Sequence, residues 1–530
     1  MKIYKSTAYL LLICAIIGFA ACTDKYDDYN KSKTGATEEE MGRDGYILRS
    51  YLLTMQNWVV PTDVNACQFI ECLMGGTFGG YLADSNDGFN NRNFSTYAPE
   101  NHWIKVAFND IIPKIITNHS YIKNATDDPI PIAVSDIIKV IAIQRITDIY
   151  GPIPYSRIGE DGKLNAPYDS QESIYKKMIE ELDAAIITLT EHRTENFSSK
   201  ADLVYRGNVE NWIRLGNSIK LRMAIRMADV NPTLAQAKAE EAVNHEVGTM
   251  RSNTDNALMV VTNTNPFRKI MYEYNEGDSR VSADITSYMN GYNDPRRDKY
   301  FTKSTFTTSG ITNGFHGFRS GIMIPGIAEI KQYANMNVAT DSKILWMNAA
   351  ESAFLKAEGA LRGWNMGTPS ISGSSVAEGF YKMGISLSFD QWGAAGANEY
   401  TEDATSIPQV YKDPLGTFSY VGTTSNITIK WDASASTEKN LERIITQKWI
   451  ANFPLGIEAW SEFRRTGYPK LMKVERNNSG GKVDSDRMAR RLPYPQEEYT
   501  ENGTNVSIAV SQYLKGTDNM GTDIWWAKKK

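Results

Sequence analysis

The chain has 530 residues, 42% hydrophobic, 11% aromatic and 22% charged, with 57 Lys+Arg against 62 Asp+Glu and a net charge of −5. So many apolar and aromatic residues exclude a disordered chain, and the length fits about three ordinary domains or one large repeat-built body. The mild acidity argues against a sequence-independent nucleic-acid binder, which needs a basic stripe to displace counterions from phosphates.

Lys2 and Lys5 precede an uncharged run from Ser6 to Ala21, and the first acid is Asp24. The run falls short of the ~20 apolar residues of a bilayer span and ends in small residues, so residues 1–21 read as an export signal. Phe19-Ala20-Ala21-Cys22 resembles a bacterial lipobox, which makes Cys22 the lipidated N-terminus of the mature chain. Stable anchoring then needs more than one acyl chain. Losing Lys2 and Lys5 takes the net charge from −5 to −7. Residues 22–40 are polar without apolar period and read as a tether, and the acids after Cys22 resemble the surface-export signal of Bacteroidetes lipoproteins. Residues 41–530 read as one body. Once Cys14 is removed and Cys22 acylated, Cys67 and Cys72 remain, at a spacing that puts them on different faces of a helix. A disulfide between them is not the default.

Along the body the periodic segments are helical. Val134 to Tyr150 stops at Gly151-Pro152, and Gln171 to Leu189 carries apolar residues every three or four positions behind a cap pair of Asp169 and Glu172. Arg206 to Val230 repeats the pattern, Asn231-Pro232 starts another helix, and Lys343 to Arg362 places Ala349, Ala353 and Ala357 on one face before Gly363. Leu441 to Ile450 is the last. Alanine every fourth residue permits close helix contact, as helix-pair repeats of the tetratricopeptide kind need. Between the helices lie Gly/Asn/Ser/Thr-rich stretches, Gly75 to Pro99, Ser252 to Gly326 and Asn398 to Ala435, long enough to be functional. No alternation of strand and helix predicts a parallel sheet, so the fold class is mainly α.

Catalytic and cofactor signatures are missing. No two of His102, His119, His192, His245 and His316 stand at metal-ligand spacing, and Thr249 occupies the position where a zincin motif starting at His245-Glu246 needs its second His. No nucleophile elbow or Walker loop occurs; Gly75 to Gly80 lacks the phosphate-holding Lys. Asp84-Ser85-Asn86-Asp87-Gly88 offers hard oxygens in a turn, which leaves a structural Ca²⁺ open. Ser95 stands where an EF-hand needs its bidentate Glu, so a solvated turn is the favoured reading.

From Arg145-Ile-Thr-Asp-Ile-Tyr-Gly-Pro-Ile-Pro-Tyr-Ser156 onward the chain resembles the SusD/RagB family, lipid-anchored nutrient-binding partners of outer-membrane TonB-dependent transporters. The likeness continues in order through residues 167–175, Gly207 to Trp212, Lys220-Leu-Arg222, Asn293 to Arg296, Ala357 to Trp364, Gln447-Lys-Trp449, Glu458 to Pro469, Arg491 to Glu498 and Trp525-Trp526. The resemblance implies a single, mostly helical body with about four tetratricopeptide-like helix pairs as scaffold and irregular segments as a ligand face. It implies no enzymatic activity and no cofactor. The partner it implies is a SusC-like TonB-dependent transporter, to which a glycan, or alternatively a peptide, is delivered from the outer-membrane surface. A surface glycoside hydrolase is the competing reading of another class, since 62 carboxylates hide no marked pair.

Within that frame Trp212, Trp346, Trp449 and Trp460, in helical segments, are expected as core anchors, and Arg464, Arg465 and Arg491 as makers of buried ion pairs or carbonyl contacts. A sugar site needs flat rings beside a few amide, carboxylate or Arg groups. The long loops supply Tyr81, Asp84, Asn86, Phe89, Phe94 and Trp103, then Tyr272, Tyr274 and Arg280, with Trp392 further on. These are the expected ligand-binding residues.

Overall fold

The computed structural model describes residues 45–159, 166–308, 310–312 and 314–527. The expected signal, the lipidated Cys22 and the tether to residue 40 lie outside them. The chain divides at Ser50 into a leading unit and the body from Tyr51 onward. In the leading unit, helix α1 (Tyr46–Val59) begins, with the Arg49 guanidinium 5.2 Å from the Tyr46 ring.

The body is helical with little strand. After α1 come α2, an α-turn at Val64–Cys67 that widens into π-type turns over Gln68–Gly76, α3 (Ile112–Ala125) and α4 (Pro129–Tyr150). Next are α5 (Gln171–Glu191), α6 (Val209–Arg226) and α7 (Pro232–Asn244), then α8 (Ala283–Gly291). The series ends with α9 (Ala349–Leu361), α10 (Val376–Trp392), α11 (Thr437–Ala451) and α12 (Gly456–Thr466). Helices α3 to α7 pack each on the next, α6 also meets α9, and α9 packs on both α10 and α11. This is the helix-pair scaffold expected from the alanine period. α10 meets α9 closely at Gly384, where a Cβ would lie 2.7 Å from the Phe354 ring.

Local chemistry sets where these helices start. Side chains of Asp128, Ser170, Asn208, Asn231, Asn348, Ser375 and Ser436 each accept from a backbone N–H two or three residues on, worth about 1 kcal/mol apiece. Two expectations are corrected. The α5 cap is Ser170, not Asp169, whose carboxylate instead accepts from the backbone N–H groups of Tyr155 and Ser156. The segment from Lys343 does not begin as helix, because Ile344–Met347, buried on both faces, forms a strand. Trp346 is therefore a buried strand residue, whereas Trp212, Trp449 and Trp460 are buried on helices.

The strands are short antiparallel pairs. β1 (Leu82–Asp84) pairs with β5 (Ser279–Val281), β2 (Ile153–Pro154) with β3 (Tyr168–Asp169), and β4 (Ala257–Met259) with β6 (Ile344–Met347). Gly75 and Gly76, expected in a loop, are helical because α2 packs them against α12. Cys67 and Cys72 are buried free thiols, and burial pushes the Cys67 thiol up. Among the described residues no helix is long and apolar enough to cross a membrane.

Buried charges join the helices. Arg222 holds Glu351 bidentately at 2.7 and 2.8 Å, and Arg465 holds Glu358 at 2.7 Å through both oxygens and Glu462 at 2.6 Å. Arg226 reaches Glu458 and Glu462, and Lys448 lies 3.4 Å from each of the same two carboxylates. Arg464 donates to the carbonyls of Asp148 and Arg490, and Arg491 to the carbonyl of Tyr150 and to Asp518. The expected role of these arginines is what the structure has. Burial alone would raise the carboxyls of Glu358, Glu458 and Glu462, but the adjoining guanidiniums outweigh it and hold all three below their ordinary value of 4.5.

Arg465→Met leaves Glu358 and Glu462 short of a buried partner, and the expected loss in chemical denaturation is about 3–5 kcal/mol. Because the folded carboxyls are depressed, the network's contribution is present above pH 4.5 and is lost as the pH falls below it. Denaturation midpoints measured from pH 7 downward should drop steeply in the wild type and less in the variant.

Candidate functional site

The pairing of β1 with β5 sets Leu82 opposite Val281, Ala83 opposite Arg280 and Asp84 opposite Ser279. It thereby joins the first long loop to the second. The Asp278 carboxylate organises the junction, accepting from Gln68 Nε2 at 2.5 Å, Asn86 Nδ2 at 2.8 Å and Asn275 Nδ2 at 3.0 Å. Ser85 closes it from the other side, donating its N–H to the Asp278 carbonyl at 3.0 Å and its hydroxyl to the Gly277 carbonyl at 2.7 Å.

The turn so held is strained. Asn275, Glu276 and Gly277 have φ of 46°, 64° and 110°, and a Cβ on Gly277 would sit 2.0 Å from Arg280 Nη1 and 2.6 Å from the Met271 carbonyl. Strain of this kind persists only where neighbours over-determine it, and it clusters at ligand-holding turns. Arg280 provides the restraint, donating to the carbonyls of Met271 and Glu276 at 3.1 and 3.0 Å. Its burial without a carboxylate partner lowers its pKa. On the first loop, Asn86 accepts from Gly88 N–H at 2.9 Å, and Asn90 exchanges two hydrogen bonds with the backbone of Ile324. The outcome is a face with Asp87, Gly88, Asn275 and Glu276 exposed, Asn86 and Phe89 half-buried, and the Tyr274 ring 41% exposed.

The expected ligand residues divide by burial. Tyr81 is fully buried, stacked 5.5 Å from Trp449 with its hydroxyl donating to the Trp449 carbonyl. Phe94 and Trp103 are buried too, 5.8 Å apart, in a cluster with Phe69 and Phe89. Arg280 and Asp84 are also buried. Asp84 accepts from Ser95 at 2.7 Å and Thr77 at 3.3 Å, so it is not part of a solvated turn, and burial pushes its carboxyl up to about 7. These five side chains have almost no surface to offer and act beneath the face. Tyr272 is half-buried, its hydroxyl donating to the Met336 carbonyl and its ring 3.9 Å from the Arg268 guanidinium. Trp392 belongs to a different cavity of about 250 Å³, shared with Phe267, Leu345 and Phe453. Sequence reading passed over Gln68, Asn275, Glu276 and Asp278; the Tyr-Asn-Glu-Gly-Asp turn at 274–278 was a usable signal for the last three, and nothing marked Gln68. Among the described residues no three His, Cys, Asp or Glu side chains gather as they would around a metal ion.

Residues 28–527 match the family model described as SusD-like, SusD and RagB outer membrane lipoprotein. Among solved structures the chain is similar to a SusD homologue from Bacteroides uniformis at 46% identity and TM-score 0.86, covering 91% of this chain and 100% of that one. A SusD homologue from Bacteroides ovatus is 41% identical with TM-score 0.84, covering 92% and 100%. A chitin-binding SusD homologue from Flavobacterium johnsoniae is 36% identical with TM-score 0.83, covering 91% and 99%. No match is found among curated proteins.

The raised carboxyl of Asp84 yields a prediction of opposite sign to that of the ion network. Its folded pKa of about 7 exceeds its ordinary 3.8, so the folded state binds the proton more tightly and this group's contribution declines as the pH rises from 3.8 through 7. Asp84→Asn removes that decline. Denaturation midpoints at pH 5 and pH 8 should differ less, or in the opposite sense, in the variant than in the wild type.

Proposed function

The chain belongs to the SusD/RagB family of outer-membrane lipoproteins, and on that footing we propose that it captures an oligosaccharide at the cell surface and passes it to a SusC-like TonB-dependent transporter. The role is one of binding, with no catalysis and no cofactor. Cys22, acylated, is the proposed anchor, and residues 22–40 the tether that lets the body sit over the transporter.

The observation that carries the reading is the face built on β1 and β5. Sugars combine polar rims with apolar C–H surfaces, so they are held by an exposed ring flanked by amides and carboxylates. Tyr274 is an exposed ring on the turn that carries Asn275 and Glu276, a turn that Asp278 ties to Asn86 and Arg280 restrains. Preorganisation of this kind spares the ordering cost that a mobile loop would incur on binding. The chitin-binding relative supports a glycan as the ligand class.

Isothermal titration of the chain from Thr23 onward with a chito-oligosaccharide tests the reading. Tyr274→Ala should weaken binding about tenfold, ~1.4 kcal/mol, and Asn86→Ala by a smaller factor. Unchanged affinity in both variants would remove the β1–β5 face as the site. Sugar release by the purified protein would overturn the non-enzymatic role. Pull-down of an outer-membrane barrel from the native membrane tests the partner.

A further inference from the structure

A second cleft, of about 540 Å³, lies between the segment Tyr420–Asn426, the end of α12 with Gly467 to Lys473, and Ser485 to Arg490. Its size falls among ligand pockets, which run from about 300 to 1,000 Å³. Six cationic side chains line it against two carboxylates, Glu442 and Asp486, in a chain whose net charge is −5. The cations of the lining thus outnumber its carboxylates.

The cations are not equivalent. Arg464 is turned inward onto backbone carbonyls, and Arg487 and Arg490 share the single carboxylate of Asp523. Lys439 pairs with Glu442 at 2.9 Å, and Lys473 pairs with Asp486. Lys470 is exposed and has no carboxylate at ion-pair distance among the described residues; its ammonium stands 4.7 Å from the Tyr468 ring. Tyr420 and Tyr468 lie in the cleft wall as buried rings, and Leu471 and Met472 beside them are half-buried and give it apolar surface. Glu438 accepts from the Tyr468 hydroxyl at 2.9 Å, and the buried Asp284 accepts from the Met472 N–H at 2.7 Å.

We propose that this cleft is a second carbohydrate site that takes an anionic sugar, a uronate whose carboxylate is received by Lys470 while the half-buried Leu471 and Met472 meet its C–H surface. A bare phosphate would satisfy the lysine and leave the apolar surface of Leu471 and Met472 without a partner. A neutral sugar would leave Lys470 without an acid partner. The proposal is independent of the β1–β5 face.

Titration of the intact chain with a galacturonic acid trimer, its neutral galactose counterpart and inorganic phosphate tests the assignment. The uronate trimer should bind, and more weakly as salt is added. Lys470→Met should reduce its affinity about tenfold, and Lys470→Glu further, while Tyr274→Ala leaves it unchanged. Because the Lys470 side chain is exposed, an unshifted thermal midpoint is expected and confirms that the variants fold. The assignment is overturned if the uronate does not bind at millimolar concentration, if phosphate or the neutral trimer binds as tightly, or if Lys470→Met is without effect. Loss of uronate binding in Tyr274→Ala would move the ligand to the other face and overturn it as well.

Discussion

Four helices of the body are tied by one charge-balanced network with no room for a missing member. Arg222 and Arg226 come from α6, Glu351 and Glu358 from α9, Lys448 from α11, and Glu458, Glu462 and Arg465 from α12. These four cations and four carboxylates are joined by Asp148, 3.9 Å from Arg226, and by Arg362 on Glu358, and each group's desolvation is offset only while its partners are in place. Such a network adds little to stability compared with an apolar core of equal volume, yet it makes any other register of these helices very costly. Its members are 129 residues apart where Arg222 meets Glu351 of α9 and further where Arg226 meets α12, so it also fastens distant parts of the chain.

The face built on β1 and β5 depends on that fastening through Tyr81. This residue immediately precedes β1, and its ring and hydroxyl are held by Trp449 of α11, the helix that carries Lys448. Trp449 in turn donates to the Gly79 carbonyl at 2.7 Å. The scaffold therefore grips the start of β1 at two points. From there the six ladder residues and the Asp278 carboxylate carry position outward to the strained turn bearing Tyr274. Rigid support beneath and an exposed ring above is the arrangement expected of a binding surface whose geometry is settled before ligand arrives.

Legibility followed the range of the interactions involved. The helices were readable because period and caps are local: Ser170 to Ser173, Asn208 to Asn211 and Asn231 to Leu234 all lie within one turn. The start of α9 was misread because Ile344–Met347 continues an apolar pattern that suits a buried strand as well as a helix, and only β4, some 85 residues earlier, decides between them. The candidate site was half legible. Composition marked the two stretches that meet at β1 and β5, but Tyr81, Phe94 and Trp103 were indistinguishable from Tyr274 as rings in Gly/Asn-rich sequence, and their burial comes from Trp449, Phe69 and Phe78. Gln68 carried no signal at all, since its partner Asp278 is 210 residues away.

By itself the sequence determined the family, the mainly helical class, the core tryptophans and the inward-facing arginines, because each of these is written in short motifs or in local period. Tertiary structure alone decided which aromatic residues meet water, which loops share a face, and that Asp84 is buried at a carboxyl pKa of about 7 while Lys470 stands without an acid partner among the described residues. The physical reason is that burial and charge pairing are properties of neighbours brought together over hundreds of residues, and no local pattern records who those neighbours are.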